Sequence, residues 1–206
     1  MARRRDKKIT LAPVLTFLLL AVGSGCAKTP APDIYLLDSA APTHLPGFEK
    51  GIAVGVGPVE LAPYLDRGQI ISRESATKLK ASEGHQWGEP LKAGYTRVLM
   101  VNMGLELDSN RIYEFPTRQR RSLDYQVAVD ILRFDGALSG EVVLGVRWTL
   151  LSGDGKRVLV SKVSSIEEAV QQPSYESFVN AQSRAVVQLA REVADGVRDQ
   201  NTKDKQ

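Results

Sequence analysis

LDYQVAVDI (residues 123–131) decides the fold. Leu123, Tyr125, Val127, Val129 and Ile131 are apolar, while Asp124, Gln126 and Asp130 share the other face with small Ala128. Successive strand side chains point to opposite faces, so this period of two describes a half-buried strand. The alternation shifts at Leu132 and Phe134, which marks a bulge or the strand end. EVVLGVRWTLL (141–151) repeats the pattern with Val142, Leu144, Val146, Trp148 and Leu150. SGDG (152–155) then turns the chain into KRVLVSKV, a hairpin signal.

Helical spacing replaces the period of two on either side of this hairpin. Leu91, Tyr95, Val98, Leu99 and Met103 recur at three to four residues after Pro90, through about residue 105. Pro173 and Ser174 open a second helix whose stripe is Tyr175, Phe178, Val179, Val186, Leu189, Val193 and Val197. Upstream, Ile34–Leu37 reads as a first strand, and GIAVGVGPVEL (51–61) as a second. Gln69–Ser72 follows a turn at Asp66–Gly68. TKLKAS (77–82) suits an edge strand with outward lysines, and GHQWGEPL (84–91) reads as loop. The class is α+β: a mostly antiparallel sheet with two helices packed on one face.

The N-terminus is a different kind of segment. The chain has 206 residues and a formal charge of +3. Its first eight residues set Arg3, Arg4, Arg5, Lys7 and Lys8 against Asp6, a local +4 that leaves −1 for the rest. A nucleic-acid-binding domain needs a positive footprint in its folded part, so that class is set aside. Residues 9–22 are uncharged and lead into Gly23, Ser24, Gly25 and Cys26. A basic start, a short apolar run and a small-residue exit describe a secretory signal, too short for a membrane span.

Chemistry is thinly supplied. The single cysteine excludes an internal disulfide and a cysteine-rich zinc site. No G-x-S-x-G or phosphate-binding loop is present. His44 lies in a proline-flanked loop, and His85, near Glu83, Trp87 and Glu89, lacks a metal-ligand spacing. The cluster Arg118, Arg120 and Arg121 suits a solvated loop, or contact with phospholipid head groups or an acidic partner. No catalytic residue, metal site or cofactor is assigned.

Small residues directly before Cys26 resemble the lipobox of bacterial lipoproteins. That resemblance implies a signal peptide over 1–25 and lipidation of Cys26. AKTPAP, without hydrophobic periodicity, suits a tether over 26–33, and the charged end of the chain reads as a frayed, disordered tail over 199–206, beyond a domain at 34–198. Ala27, which is not aspartate, implies sorting to the outer membrane of a Gram-negative envelope. Three further segments, YLDRGQIISR (64–73), HQWGEPL (85–91) with RVLMVNM, and YQVAVDILRFDG (125–136) with GEVVLGVRWTL, are similar to the PqiC family of ABC-type transport auxiliary lipoproteins. The resemblance implies a non-enzymatic subunit of an intermembrane lipid-transport system. It would sit on the periplasmic face of the outer membrane, bind an MCE-domain transport protein and assemble as a ring-like homo-oligomer. Tyr64, Asp66, Arg67, Gln69, Arg73, Trp87 and Glu89, in the two most specific motifs, are the expected partner-binding residues. Two other readings stand beside it: a structural envelope lipoprotein without a transport partner, and a periplasmic hydrolase acting through His85.

Overall fold

A computed structural model describes residues 30–39, 51–116 and 122–206. Its centre is an antiparallel meander of β6 (Tyr125–Gly136), β7 (Glu141–Ser152) and β8 (Val158–Ala169). Tyr125, Val127, Val129 and Ile131 are buried, as are Val142, Leu144, Val146, Trp148 and Leu150. The pairing with β7 slips between Ile131 and Arg133. That bulge leaves Leu132 47% exposed and returns Phe134 to the core, as the broken alternation indicated. At the SGDG reversal, Gly155 takes the left-handed φ of 72° that the turn requires, and its N–H donates to the Ser152 carbonyl at 2.7 Å.

The sheet extends beyond β6 by two strands. β2 (Val54–Leu61) pairs parallel with β6, and β5 (Ile112–Glu114) pairs parallel with β2. The resulting order is β5-β2-β6-β7-β8. A second sheet has the order β1-β4-β3, from β1 (Asp33–Tyr35), β3 (Gln69–Arg73) and β4 (Leu79–Trp87). The class is α+β as read, but the architecture is two mixed sheets. β2 can run parallel to β6 because a long crossover separates them in the chain.

Two helices cover the inner face. α1 (Leu91–Glu106) lies over β2 and β5, α2 (Tyr175–Lys203) lies over the meander, and the two touch. The stripes read from the sequence face the core: Leu91, Tyr95, Val98, Leu99 and Met103 in α1 and Phe178, Val179, Val186, Leu189, Val193 and Val197 in α2 are buried, and Tyr175 is partly buried at the start of α2. Ser174 caps α2, its side chain accepting from the Ser177 N–H at 3.2 Å. Among the described residues, no helix is long and apolar enough to cross a membrane.

Two segments depart from their expected form. GHQWGEPL is not a loop as far as Trp87, because β4 runs to that residue. The Trp87 N–H donates to the Gly68 carbonyl at 2.8 Å, and the same stretch pairs with β1 on its other side. Only at Leu79–Ala81, where β3 is the sole neighbour, is β4 the expected edge. The tail beyond residue 198 does not fray where expected: the helix continues to Lys203. The Tyr125 hydroxyl donates to the Asp204 carboxylate at 2.6 Å, tying the helix end to β6.

Candidate functional site

The YLDRGQIISR segment begins as a 3-10 turn, Pro63–Leu65, pinned by buried Leu65. The Asp66 N–H donates to the Pro63 carbonyl and the Arg67 N–H to the Leu65 carbonyl. This compact reversal leaves Asp66, Arg67 and Gly68 exposed at the mouth of β3. The WGEPL segment arrives beside it. Trp87 ends β4 half-buried against the core, the Gly88 N–H donates to the Tyr35 carbonyl, and Pro90 opens α1.

The two segments enclose a shallow cleft of about 400 Å³, with Asp66, Arg67 and Gly68 on one wall and Trp87 to Leu91 on the other. Glu89 is held at its edge by Arg97, whose Nη2 donates to Oε1 at 2.7 Å and to the Leu37 carbonyl at 2.9 Å. Gly94 makes room for that carboxylate, since a Cβ there would come within 2.9 Å of Oε1. An exposed guanidinium, a half-buried indole and two carboxylates offer contact chemistry.

Of the seven residues expected at a partner surface, the structure brings Asp66, Arg67, Trp87 and Glu89 together here. Gln69 stands beside them, opposite Gln86 in register. Tyr64 and Arg73 turn away and meet at Asp135, which is fully buried. Tyr64 donates its hydroxyl to Oδ2 at 2.6 Å, Arg73 donates Nε to Oδ1 at 2.6 Å and Nη2 to Oδ2 at 2.9 Å, and Arg133 donates Nε to Oδ1 at 3.0 Å. Burial alone would raise the Asp135 pKa, but these hydrogen bonds outweigh it and hold the carboxyl below its ordinary range. Tyr64 is pushed up to about 12 by burial, with the Asp135 hydrogen bond and charge adding to the effect.

Asp135 was not singled out in the sequence. Its signal was faint: two charged residues, Arg133 and Asp135, directly after the bulge in the strongest strand. Alternation assigns such residues to a solvated face, whereas β3 brings Arg73 across to them.

His85, the candidate base, is packed between β1 and the start of α2. Its Nδ1 lies 3.1 Å from the Tyr35 hydroxyl and 3.5 Å from the Asp33 carboxylate, and its ring stacks on Tyr175 with centroids 3.9 Å apart. Among the described residues, no three His, Cys, Asp or Glu side chains converge to hold a metal ion. Cys26, His44, Arg118, Arg120, Arg121 and the signal segment lie outside the described residues.

A family model described as "ABC-type transport auxiliary lipoprotein component" matches residues 35–194. Among solved structures, the chain is similar to an uncharacterized protein at 16% identity and a TM-score of 0.67, covering 82% of this chain and 99% of that one. It is also similar to a Xanthomonas campestris protein at 18% identity and a TM-score of 0.65, covering 84% and 98% respectively. At such identities these two likenesses concern the fold alone. No curated protein matches the chain.

Proposed function

The chain belongs to the family of ABC-type transport auxiliary lipoprotein components, and on that premise we propose that it is the non-enzymatic docking subunit of an intermembrane lipid-transport system. Membership makes it a membrane-anchored envelope lipoprotein of a transport system and implies a partner within that system; the family is not one of enzymes. Cys26 carries the acyl chains and holds the domain on the periplasmic face of the outer membrane. The domain assembles as a ring-like homo-oligomer and receives an MCE-domain protein at the Asp66–Gly68 and Trp87–Glu89 cleft. No catalytic group and no cofactor take part.

One observation carries this reading. The two most specific motifs are separated by a strand and a turn in sequence, yet they meet as the walls of one exposed cleft. Loop residues on a rigid scaffold are favoured places for recognition.

The test pairs binding with folding. Arg67→Glu and Trp87→Ala are each expected to weaken affinity for the MCE-domain partner about thirtyfold, equivalent to about 2 kcal/mol. Arg67→Glu, at an exposed position, should leave the melting temperature unchanged. Trp87→Ala should lower it modestly, because part of the indole packs on the core. Unchanged affinity in both variants removes this cleft from the account. The anchor is tested separately: Cys26→Ser should leave a longer precursor without labelled palmitate that no longer co-fractionates with outer membranes. A labelled or normally sedimenting variant contradicts the anchor.

A further inference from the structure

β1 and the two residues that follow it carry apolar side chains on both faces. Along Ile34–Leu37 the residues alternate as in any strand: Tyr35 packs against the core and Leu37 is 2% exposed. Ile34 and Leu36 point the other way and are 60% and 54% exposed. They lie over Gly88, where a Cβ would come within 2.8 Å of the Ile34 Cγ2 and 3.1 Å of the Leu36 Cδ2. In register, Ile34 stands opposite Gln86, and Gln86 opposite Gln69. The outward row across all three strands is therefore uncharged, with its apolar end on the edge strand.

The chain length before β1 identifies what covers this end. Six residues, 27–32, separate Cys26 from the first residue of β1. A fully extended chain advances at most about 3.6 Å per residue, so Ile34 stays within roughly 29 Å of Cys26. With acyl chains on Cys26, the nearest extended apolar phase is the bilayer to which the domain is tied. So short a tether keeps the patch at a high effective concentration over the lipid, and even a shallow contact is then populated.

We propose that the outward face of β1 and its extension, Ile34 and Leu36 over Gly88, rests on the lipid surface as a second, non-covalent membrane contact. The inference rests on acylation at Cys26, the anchor of the proposed function. Its consequence is orientation: the Trp87–Leu91 wall shares Gly88 with this face, so the docking cleft is held at a fixed height above the lipid.

The test uses the mature acylated chain in vesicles of phosphatidylethanolamine and phosphatidylglycerol. Acylation occupies the only natural cysteine, so Leu36→Cys supplies a unique thiol for an environment-sensitive fluorophore. Lys80→Cys, exposed six residues from Gln86 along β4, supplies the reference. The label at 36 is expected to be blue-shifted and quenched by brominated acyl chains several-fold more strongly than the label at 80. Equal weak quenching at both positions in acylated protein overturns the lipid contact and leaves the anchor standing. So does protection at 36 that arises only when the MCE-domain partner is added, which reassigns the patch to a protein interface. A second reactive thiol per chain reports an unacylated Cys26 and overturns anchor and contact together.

Discussion

Asp135→Ala is expected to destabilise the domain by about 3 kcal/mol, the low end of the cost of breaking a buried ion pair. The variant leaves Arg73, Arg133 and the Tyr64 hydroxyl without the carboxylate that all three share. The arginines are 22% and 39% exposed, so water reaches part of what is lost and the cost stays below the upper end of the range. For a domain of this size the melting temperature should fall by roughly 6–12 °C.

The pH dependence of the same group follows from its direction of shift. The folded-state pKa of Asp135 is depressed. The contribution is therefore complete above the unfolded value of about 3.9 and is lost as pH falls through the lower folded value. Wild-type protein should show this as a decline in stability below about pH 4, and Asp135→Asn should flatten that decline. Urea titrations at several pH values make the comparison. A loss below about 1 kcal/mol, or an unchanged acid limb in Asp135→Asn, would mean that the four groups are effectively solvated.

Trp148→Ala is expected to cost about 3–5 kcal/mol, in the range for emptying a large buried aromatic site. Trp148 is 2% exposed on the inner face of β7. Its ring fits so closely under α2 that a Cβ on Gly196 would come within 2.8 Å of it. Nε1 donates to Glu192 Oε1 at 2.9 Å, an oxygen that also lies 3.0 Å from Lys162 Nζ and accepts from the Ser164 hydroxyl. Trp148→Phe keeps most of the packing and loses one donor, and should cost about 1 kcal/mol beyond its lost volume. Denaturant unfolding monitored by circular dichroism separates the two variants. Equal losses in both would place the stabilisation in the Glu192 hydrogen bond rather than in the ring.

The meander and both helices were legible because each writes its environment into a short window. Val127 and Val129 alternate with Ala128 and Asp130, and Phe178, Val186 and Leu189 recur on one helical stripe; both patterns follow from a single buried face. Strand direction was not legible. The parallel placement of β2 beside β6 depends on contacts some seventy residues apart, and β5, with three residues, is too short to carry a period. β4 past Ser82 is not legible because Gly84 interrupts its pattern and its partners, Gly68 and Tyr35, come from elsewhere in the chain.

The candidate site was partly legible for the same reason. Exposed Asp66 and Arg67 stand in a turn that the sequence itself marks, and half-buried Trp87 ends β4 just before Glu89. Tyr64 and Arg73 belong to the same motif but point to Asp135. No local pattern separates an arginine that meets a partner from one that meets a buried carboxylate. Tyr64→Phe and the Asp135 variants should accordingly act on stability before they act on binding. The exposure of Ile34 and Leu36 has no sequence signal, since alternation reports which residues share a face and not which face is covered.

The central claim, that this lipoprotein docks an MCE-domain component of an ABC-type transport system, is tested most directly by quantitative affinity purification from detergent-solubilised envelopes. Wild-type chain and Arg67→Glu are recovered in parallel and the co-purifying proteins quantified by mass spectrometry. The expected result is an MCE-domain protein enriched with the wild type and depleted with Arg67→Glu at equal bait, by about thirtyfold when bait and prey are kept well below the wild-type Kd. An MCE-domain protein absent from the wild-type eluate, while other envelope lipoproteins are recovered, would contradict it and leave a structural lipoprotein without that partner.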